Sequence, residues 1–330
     1  MTRSSWAQQA TEWFFSGRKS PSQRQCDEIT KLVSGASTVS PVDSPGSMSY
    51  TVICNGRPQP QQDLIVSFRE PGAMLDEEMV KLAKEIHGDL VPESTCHGDV
   101  EGADPPLSIY SMSYLRGSSR IEVLAFHVEL DPEEEANHGV FVKHLAWYFA
   151  RCWSNPRPVD RQTQAEKQEG VRKRLSRLVE ESPPSMLLKP MLSRLIENLP
   201  SLFSPDYPQV LTHGDFSVTN ILVDDDKFEI TGIVDWSLAA VMPFGMDLDI
   251  LLLTTGFMTR DGWHTFWKEF WAVSGIQGEE CRGRTQGLAE AAAQIGALLR
   301  LAFRRNADGS PSEEVLVSES RMRQLRAWFG

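Results

Sequence analysis

The 330-residue chain reads as an α+β protein of two lobes, a small strand-rich N-terminal lobe and a larger, mostly helical C-terminal lobe. Three observations predict this class. Strand-like runs dominate the first part of the chain, at 47–54, 63–70 and 107–114, with one amphipathic stretch among them. Beyond residue 118 the apolar residues recur at helical spacing. A hydrophobic content of 41% with nine Trp demands a large packed interior, and the length suits about two domains. The division expected is 1–117 for the N-terminal lobe with a leading helix, and 118–330 for the C-terminal lobe.

The elements follow in order. Residues 1–35 look helical, with Trp6, Ala10, Trp13 and Phe14 on one face, and the Ser-, Pro- and Gly-rich stretch 36–46 reads as a loop. Strands 47–54 and 63–70 are joined by a polar turn at Asn55-Gly56. Residues 74–86 form an amphipathic helix, and 107–114 a further strand ending at Leu115-Arg116-Gly117. In the second lobe, 140–153, 163–181 and 185–199 read as helices, with Pro183-Pro184 closing the middle one. A strand is expected at 209–212, and a hairpin runs from Asn220 through the turn at 224–227 to Asp235. The segments 261–273, 279–305 and 315–329 complete the chain as helices.

A net charge of −12 argues against nucleic acid, whose phosphates call for basic patches. The same charge permits a cationic small molecule drawn into an acidic cleft. Five cysteines are scattered without a C-x-x-C pair, so neither a zinc site nor a disulfide framework is indicated, and a reducing, cytoplasmic setting follows. No apolar h-region stands at the N-terminus, and no run of about 18 apolar residues suggests a membrane span.

Chemistry concentrates at residues 213–236. His213-Gly214-Asp215 is followed by Asn220, five positions after the Asp, and by Asp235-Trp236 behind a hairpin's worth of chain. An Asp, an Asn five residues on and a second Asp at a strand end are the parts of a metal-dependent phosphoryl-transfer site. The chain carries its own control. His-Gly-Asp also occurs at His87-Gly88-Asp89 and His97-Gly98-Asp99, but Ser94 and Asp104 stand where the Asn is needed, so those copies read as turns. The hairpin would bring Asn220 and Asp235 together at its open end, and two hard oxygen donors there suit Mg²⁺. The run Asp224-Asp225-Asp226 lacks the spacing of a Ca²⁺ loop and reads as a solvated turn.

These residues, with the trailing Pro243-Phe244-Gly245-Met246-Asp247, resemble the aminoglycoside phosphotransferase and choline kinase-like family. The resemblance is close over about 205–255 and looser from about residue 44 onward. It implies a protein-kinase-like bilobal fold and phosphate transfer to a hydroxyl of a small molecule. By this resemblance Asp215 is the catalytic base, Asn220 and Asp235 hold Mg²⁺, and His213 supports the loop. Asp247 would anchor the segment after Asp235 by binding backbone N–H groups. The donor would be ATP or GTP.

The nucleotide side is less complete. No G-x-G-x-x-G occurs, and the nearest substitute is the small-residue turn 44–49, where Ser47 would approach the phosphates. No Lys stands in 64–70, so Arg69 is the candidate phosphate cation, with Glu77, Glu78 or Glu85 as its helix partner and Glu78 preferred. By resemblance, main-chain groups from Met112 to Tyr114 would bind the purine. A catalytically degenerate kinase-like scaffold is the alternative, favoured by the missing Lys and Gly-rich loop. Trp236, Trp263, Trp267 and Trp271 read better as core than as acceptor pocket. The acidic run 129–135 reads better as a helix N-terminus than as a cation site.

Overall fold

The computed structural model describes residues 6–43, 45–56, 63–124, 130–181, 189–251, 260–305 and 311–316. The leading helical region is two helices, α1 (Trp6–Ser16) and α2 (Gln23–Ser34), rather than one. Gly17 and Pro21 interrupt it, and Ser22 restarts it with a reciprocal capping box to Gln25.

The N-terminal sheet has five antiparallel strands in the order β1-β2-β3-β5-β4. They are β1 (Thr38–Pro41), β2 (Ser49–Asn55), β3 (Leu64–Arg69), β4 (Ser94–Asp99) and β5 (Ser108–Ser113). Two of these escape sequence reading. β1 lies in the stretch expected as loop and pairs Thr38 with Asn55 at one edge. β4 contains the second His-Gly-Asp copy, which is therefore strand and not turn. The ladder shifts between Cys96 and Asp99, with Gly98 at φ 86°. Both are edge strands, and neither carries the apolar alternation that reports a buried face. Tyr50, Val52, Val66 and Phe68 are the buried centre, packed against α1 and α2.

Helix α3 (Glu77–His87), capped by Asp76, packs against the second lobe. The first His-Gly-Asp copy ends it: Gly88 has φ 61° and a single 3₁₀ turn follows. His87 itself is buried, stacked on Tyr148 with centroids 4.2 Å apart.

Past β5 the chain forms the short β6 (Ser118–Ser119) and α4 (Arg120–Val123). Helix α5 (Pro132–Ser154) begins eight residues before the sequence pattern suggested. Asp131 caps it with Pro132 at N1, and Glu134 completes a capping box. The described part of the acidic run is thus a helix start. Helices α6 (Arg161–Glu181) and α7 (Lys189–Leu202) follow, and the expected beginning of α7 lies outside the described residues. Two further helices, α8 (Arg260–Ser274) and α9 (Glu279–Leu301), close the lobe. α8 packs on α5 through an aromatic seam that includes Phe149–Phe266 and Trp153–Phe270. Trp236 and Trp267 are buried, and Trp263 and Trp271 pack against the same core.

Between α7 and α8 stand the strands of the candidate site: β7 (Gln209–Thr212), β8 (Ile221–Val223), β9 (Ile230–Ile233) and β10 (Ala240–Pro243). β10 pairs with β7, and β6 with β8. The chain after α9 is β11 (Phe303–Arg305), where the end of a helix was expected, paired with β12 (Pro311–Val315). The rest of 315–329 lies outside the described residues. All five cysteines are free, and no helix among the described residues is long and apolar enough to cross a membrane.

Candidate active site

The loop from His213 to Asn220 connects buried β7 to β8. Its shape is set by side chains bonding to main chain. Asp247 accepts the amides of His213 at 2.6 Å and Gly214 at 3.2 Å. Its anchoring role thus falls on the 213–220 loop, where the sequence reading placed it on the segment after Asp235. Burial raises the Asp247 carboxyl above its ordinary range. The His213 ring and amide, Arg300 and the Gly214 amide oppose that rise. Gly214 has φ 76°, and a Cβ there would collide with the Leu238 carbonyl, so the position requires glycine.

His213 is fully buried, and its contacts fix its tautomer. The Asp215 amide donates to Nδ1 at 3.3 Å, so Nε2 carries the proton and donates to the Val234 carbonyl at 2.9 Å. The ring lies 4.7 Å from that of Trp236 and 5.8 Å from Phe216. Phe216 stacks on Tyr148, and Tyr148 on His87, so an aromatic column joins the loop to the end of α3. Such pairs are worth roughly 0.5–1.5 kcal/mol each beyond their buried area. Burial lowers His87 to about 3, with Arg151 and His213 adding to the shift, so this imidazole stays neutral.

Asn220 closes the loop on Asp215. Its Nδ2 donates to the Asp215 carbonyl at 2.9 Å and to Oδ2 at 3.3 Å. With the amide nitrogen committed, Oδ1 is the atom that can face a cation. The Val234 amide donates to the Asn220 carbonyl at 2.9 Å, which sets Asp235 beside Asn220 at the open end of the β8–β9 hairpin. The acidic turn is held by Asp224, which accepts the amides of Asp226 and Lys227. Asp235 adopts φ 63°, a left-handed conformation that Asp tolerates better than most residues.

Arg69, buried at the end of β3, donates from Nη1 to Asp235 Oδ1 at 2.8 Å and to the Ala73 carbonyl at 3.0 Å. The expected partner Glu78 is exposed in the first turn of α3, so Arg69 takes a carboxylate from the other lobe instead. Burial alone would raise Asp235. The charge and hydrogen bond of Arg69, with His213 and the Ser237 hydroxyl, hold it below the usual carboxylate range. Ser47 is exposed in the turn before β2, and the Glu70 amide donates to Met48 there, drawing that turn beside the end of β3.

The strand leading out of the N-terminal sheet carries Met112 to Tyr114, the residues expected at the purine. Met112 is paired with Ile65 on one side and Ser94 on the other. The Ser113 amide donates to Glu93 and the Tyr114 amide to Asp63. The amides of Ser113 and Tyr114 are therefore used within the lobe, because central β5 has neighbours on both sides.

A cavity of about 750 Å³ opens beside the loop, bounded by Gly214, Ser237, Leu238 and Asp247 and, from the N-terminal lobe, by Pro71 and Met74. None of the four tryptophans lines it. Sequence reading missed Asp249, which is buried against Arg300, while Arg300 donates to the Phe216 carbonyl at 3.1 Å. No local signal marks that pair, since its members lie on separate elements.

Two lobes with this strand order, joined around an Asp–Asn loop and a facing Asp, define a kinase-like phosphotransferase fold. The sequence pattern of the phosphotransferase enzyme family matches residues 59–288, more than half of the chain, and the chain belongs to that family. Among solved structures it is similar to the Plasmodium vivax ethanolamine kinase, with 12% identity over 99% of this chain and 95% of that one at a TM-score of 0.54. It is also similar to an aminoglycoside 2′-phosphotransferase-IIIa solved with GDP, with 17% identity over 85% of this chain and 92% of that one at a TM-score of 0.53. None of the curated proteins matches significantly.

Proposed function

We propose that the protein transfers the terminal phosphate of ATP or GTP to a hydroxyl of a small molecule. The observation that carries this reading is the loop in which Asn220 fastens Asp215 from one side while the Val234–Asn220 bond sets Asp235 on the other. The acceptor oxygen bonds to the γ-phosphorus as the bond to the bridging oxygen breaks, releasing the nucleoside diphosphate. The hydroxyl proton passes to the Asp215 carboxylate.

Asn220 Oδ1 and the Asp235 carboxylate are hard oxygen donors at one strand end and fit Mg²⁺, which completes its sphere with phosphate and water. When bound, the ion would neutralise charge on the phosphates. Arg69 and the turn at Ser47 would steady the phosphates, and His213 would hold the loop through its bonds to the Asp215 amide and the Val234 carbonyl. Most of the rate comes from positioning.

A second reading, a kinase-like scaffold without transfer, is favoured by the Arg69–Asp235 pair, which places a cation on a proposed metal ligand. Calorimetric titration with Mg·ATP and Mg·GTP, with and without chelator, separates the two. Metal-dependent binding that Asp235→Ala removes supports the phosphotransferase. Absence of binding to either nucleotide supports the scaffold. Asp215→Ala should keep nucleotide binding and lose on the order of 10²–10⁴ in turnover. Full turnover in that variant would rule out Asp215 as the base.

A further inference from the structure

The cavity beside the loop carries an unbalanced charge. It opens at Gly214, next to Asp215, and at Ser237, whose hydroxyl donates to Asp235. Among the described residues its ionisable lining is Glu166, Lys167, Arg174, Asp247, Asp249, Arg300 and Arg304. Asp247 gives its two oxygens to backbone amides, and Asp249 is ion-paired with Arg300. Neither is placed to receive a cationic ligand. Exposed Glu166 is the remaining carboxylate among the described lining residues and accepts from Gln162. Arg304 meets Glu314 at 3.4 Å on the surface.

Lys167 and Arg174 differ from these. Both are half-buried and lie two helical turns apart on α6, facing the same cavity. Lys167 Nζ donates to the Val241 carbonyl at 2.8 Å, and Arg174 Nε to the Gly170 carbonyl of its own helix at 3.3 Å. Among the described residues no ion pair within 4.0 Å joins either to a carboxylate. Burial lowers the pKa of both, and the more distant Asp160 and Glu313 only partly oppose it. A half-buried cation without a counter-ion is costly, and an anion seated between the two would offset that cost. A cationic ligand would meet like charges.

We propose that this cavity holds the acceptor and that the acceptor is an anionic alcohol, a small hydroxyl compound bearing a carboxylate or phosphate, with Lys167 and Arg174 setting the specificity. The proposal rests on the phosphotransferase reading for the word acceptor, and on the cavity walls for the charge. The acidic overall composition permits the opposite sign, a cationic acceptor.

The test uses the full chain. Glycerate, glycerol 3-phosphate, glycerol and choline are titrated calorimetrically into wild type, Lys167→Gln, Arg174→Gln and Glu166→Gln. Nucleoside diphosphate release from Mg·ATP and Mg·GTP is then followed with each compound. The two anions should bind, and glycerol and choline should not. Each cation substitution should weaken anion binding about tenfold or more, since charge-assisted hydrogen bonds are lost. Glu166→Gln should leave it equal or tighter, and the ratio of the two anions tells carboxylate from phosphate. Lys167→Gln keeps the test independent of any effect of Arg174→Gln on folding. Choline binding more tightly than both anions, no anion binding at millimolar concentration, or anion binding unchanged by both cation substitutions overturns the proposal. Failure of both nucleotides to bind overturns the phosphotransferase reading alone, and the anion titration still decides the charge of the cavity.

Discussion

Replacing Asp247 by Ala tests whether one buried carboxylate shapes the 213–220 loop. The side chain accepts two main-chain amides, one at 2.6 Å and one at 3.2 Å. A hydrogen bond to a charged group contributes roughly 1.5–3 kcal/mol, the longer one falling at the low end, and its removal strands a buried N–H. Against this stands the cost of keeping a carboxylate buried, which the raised pKa records. The net loss should be about 2–4 kcal/mol. At roughly 2 °C per kcal/mol for a chain of this size, the unfolding midpoint should drop by about 4–8 °C. Asp247→Asn keeps one acceptor but turns its NH₂ toward the second amide, and should lose about 1–3 kcal/mol. A loop released by about 1 Å should lose on the order of 10² in turnover. Calorimetric melting and a coupled assay for the nucleoside diphosphate measure both effects. An Asp247→Ala variant with the wild-type midpoint and turnover would refute the anchoring argument.

Gly214→Ala forces a side chain into the left-handed region, at roughly 1–2 kcal/mol, and drives Cβ into the Leu238 carbonyl. Turnover should fall more than stability, and equal kinetics in the variant would show that the loop adapts freely. Arg69→Gln tests the interlobe pair through pH. Asp235 lies below its ordinary 3.8 in the folded protein, so its contribution is present above the unfolded pKa and is lost as pH falls through the folded value. The stability difference between wild type and Arg69→Gln should therefore hold from neutral pH to about 4 and shrink below it. Denaturation at a series of pH values checks this, and a difference that grows on acidification contradicts the pairing.

Much of the architecture was legible because periodicity reports burial. The central strands, the helices α3 and α6 and the Asp215–Asn220–Asp235 spacing depend on residues near one another in the chain. Short edge strands were not legible: β1 and β4 owe their existence to pairing with β2 and β5, not to any apolar pattern of their own. Ion pairs between distant elements were equally hidden. Arg69 was expected beside Glu78, but the free choice among carboxylates was settled by the approach of Asp235 from the other lobe.

The sequence by itself determined the two-lobed α+β class, the family and the residues around which the candidate chemistry is arranged, because a hairpin and a five-residue loop are local objects. Only the tertiary structure decided which groups hold that loop, why Gly214 cannot carry a side chain, and which charges face the cavity. Those are long-range facts. The same −12 net charge that permits a cationic acceptor leaves a cavity whose described carboxylates are largely engaged, because what a ligand meets depends on the charges still unpaired after folding.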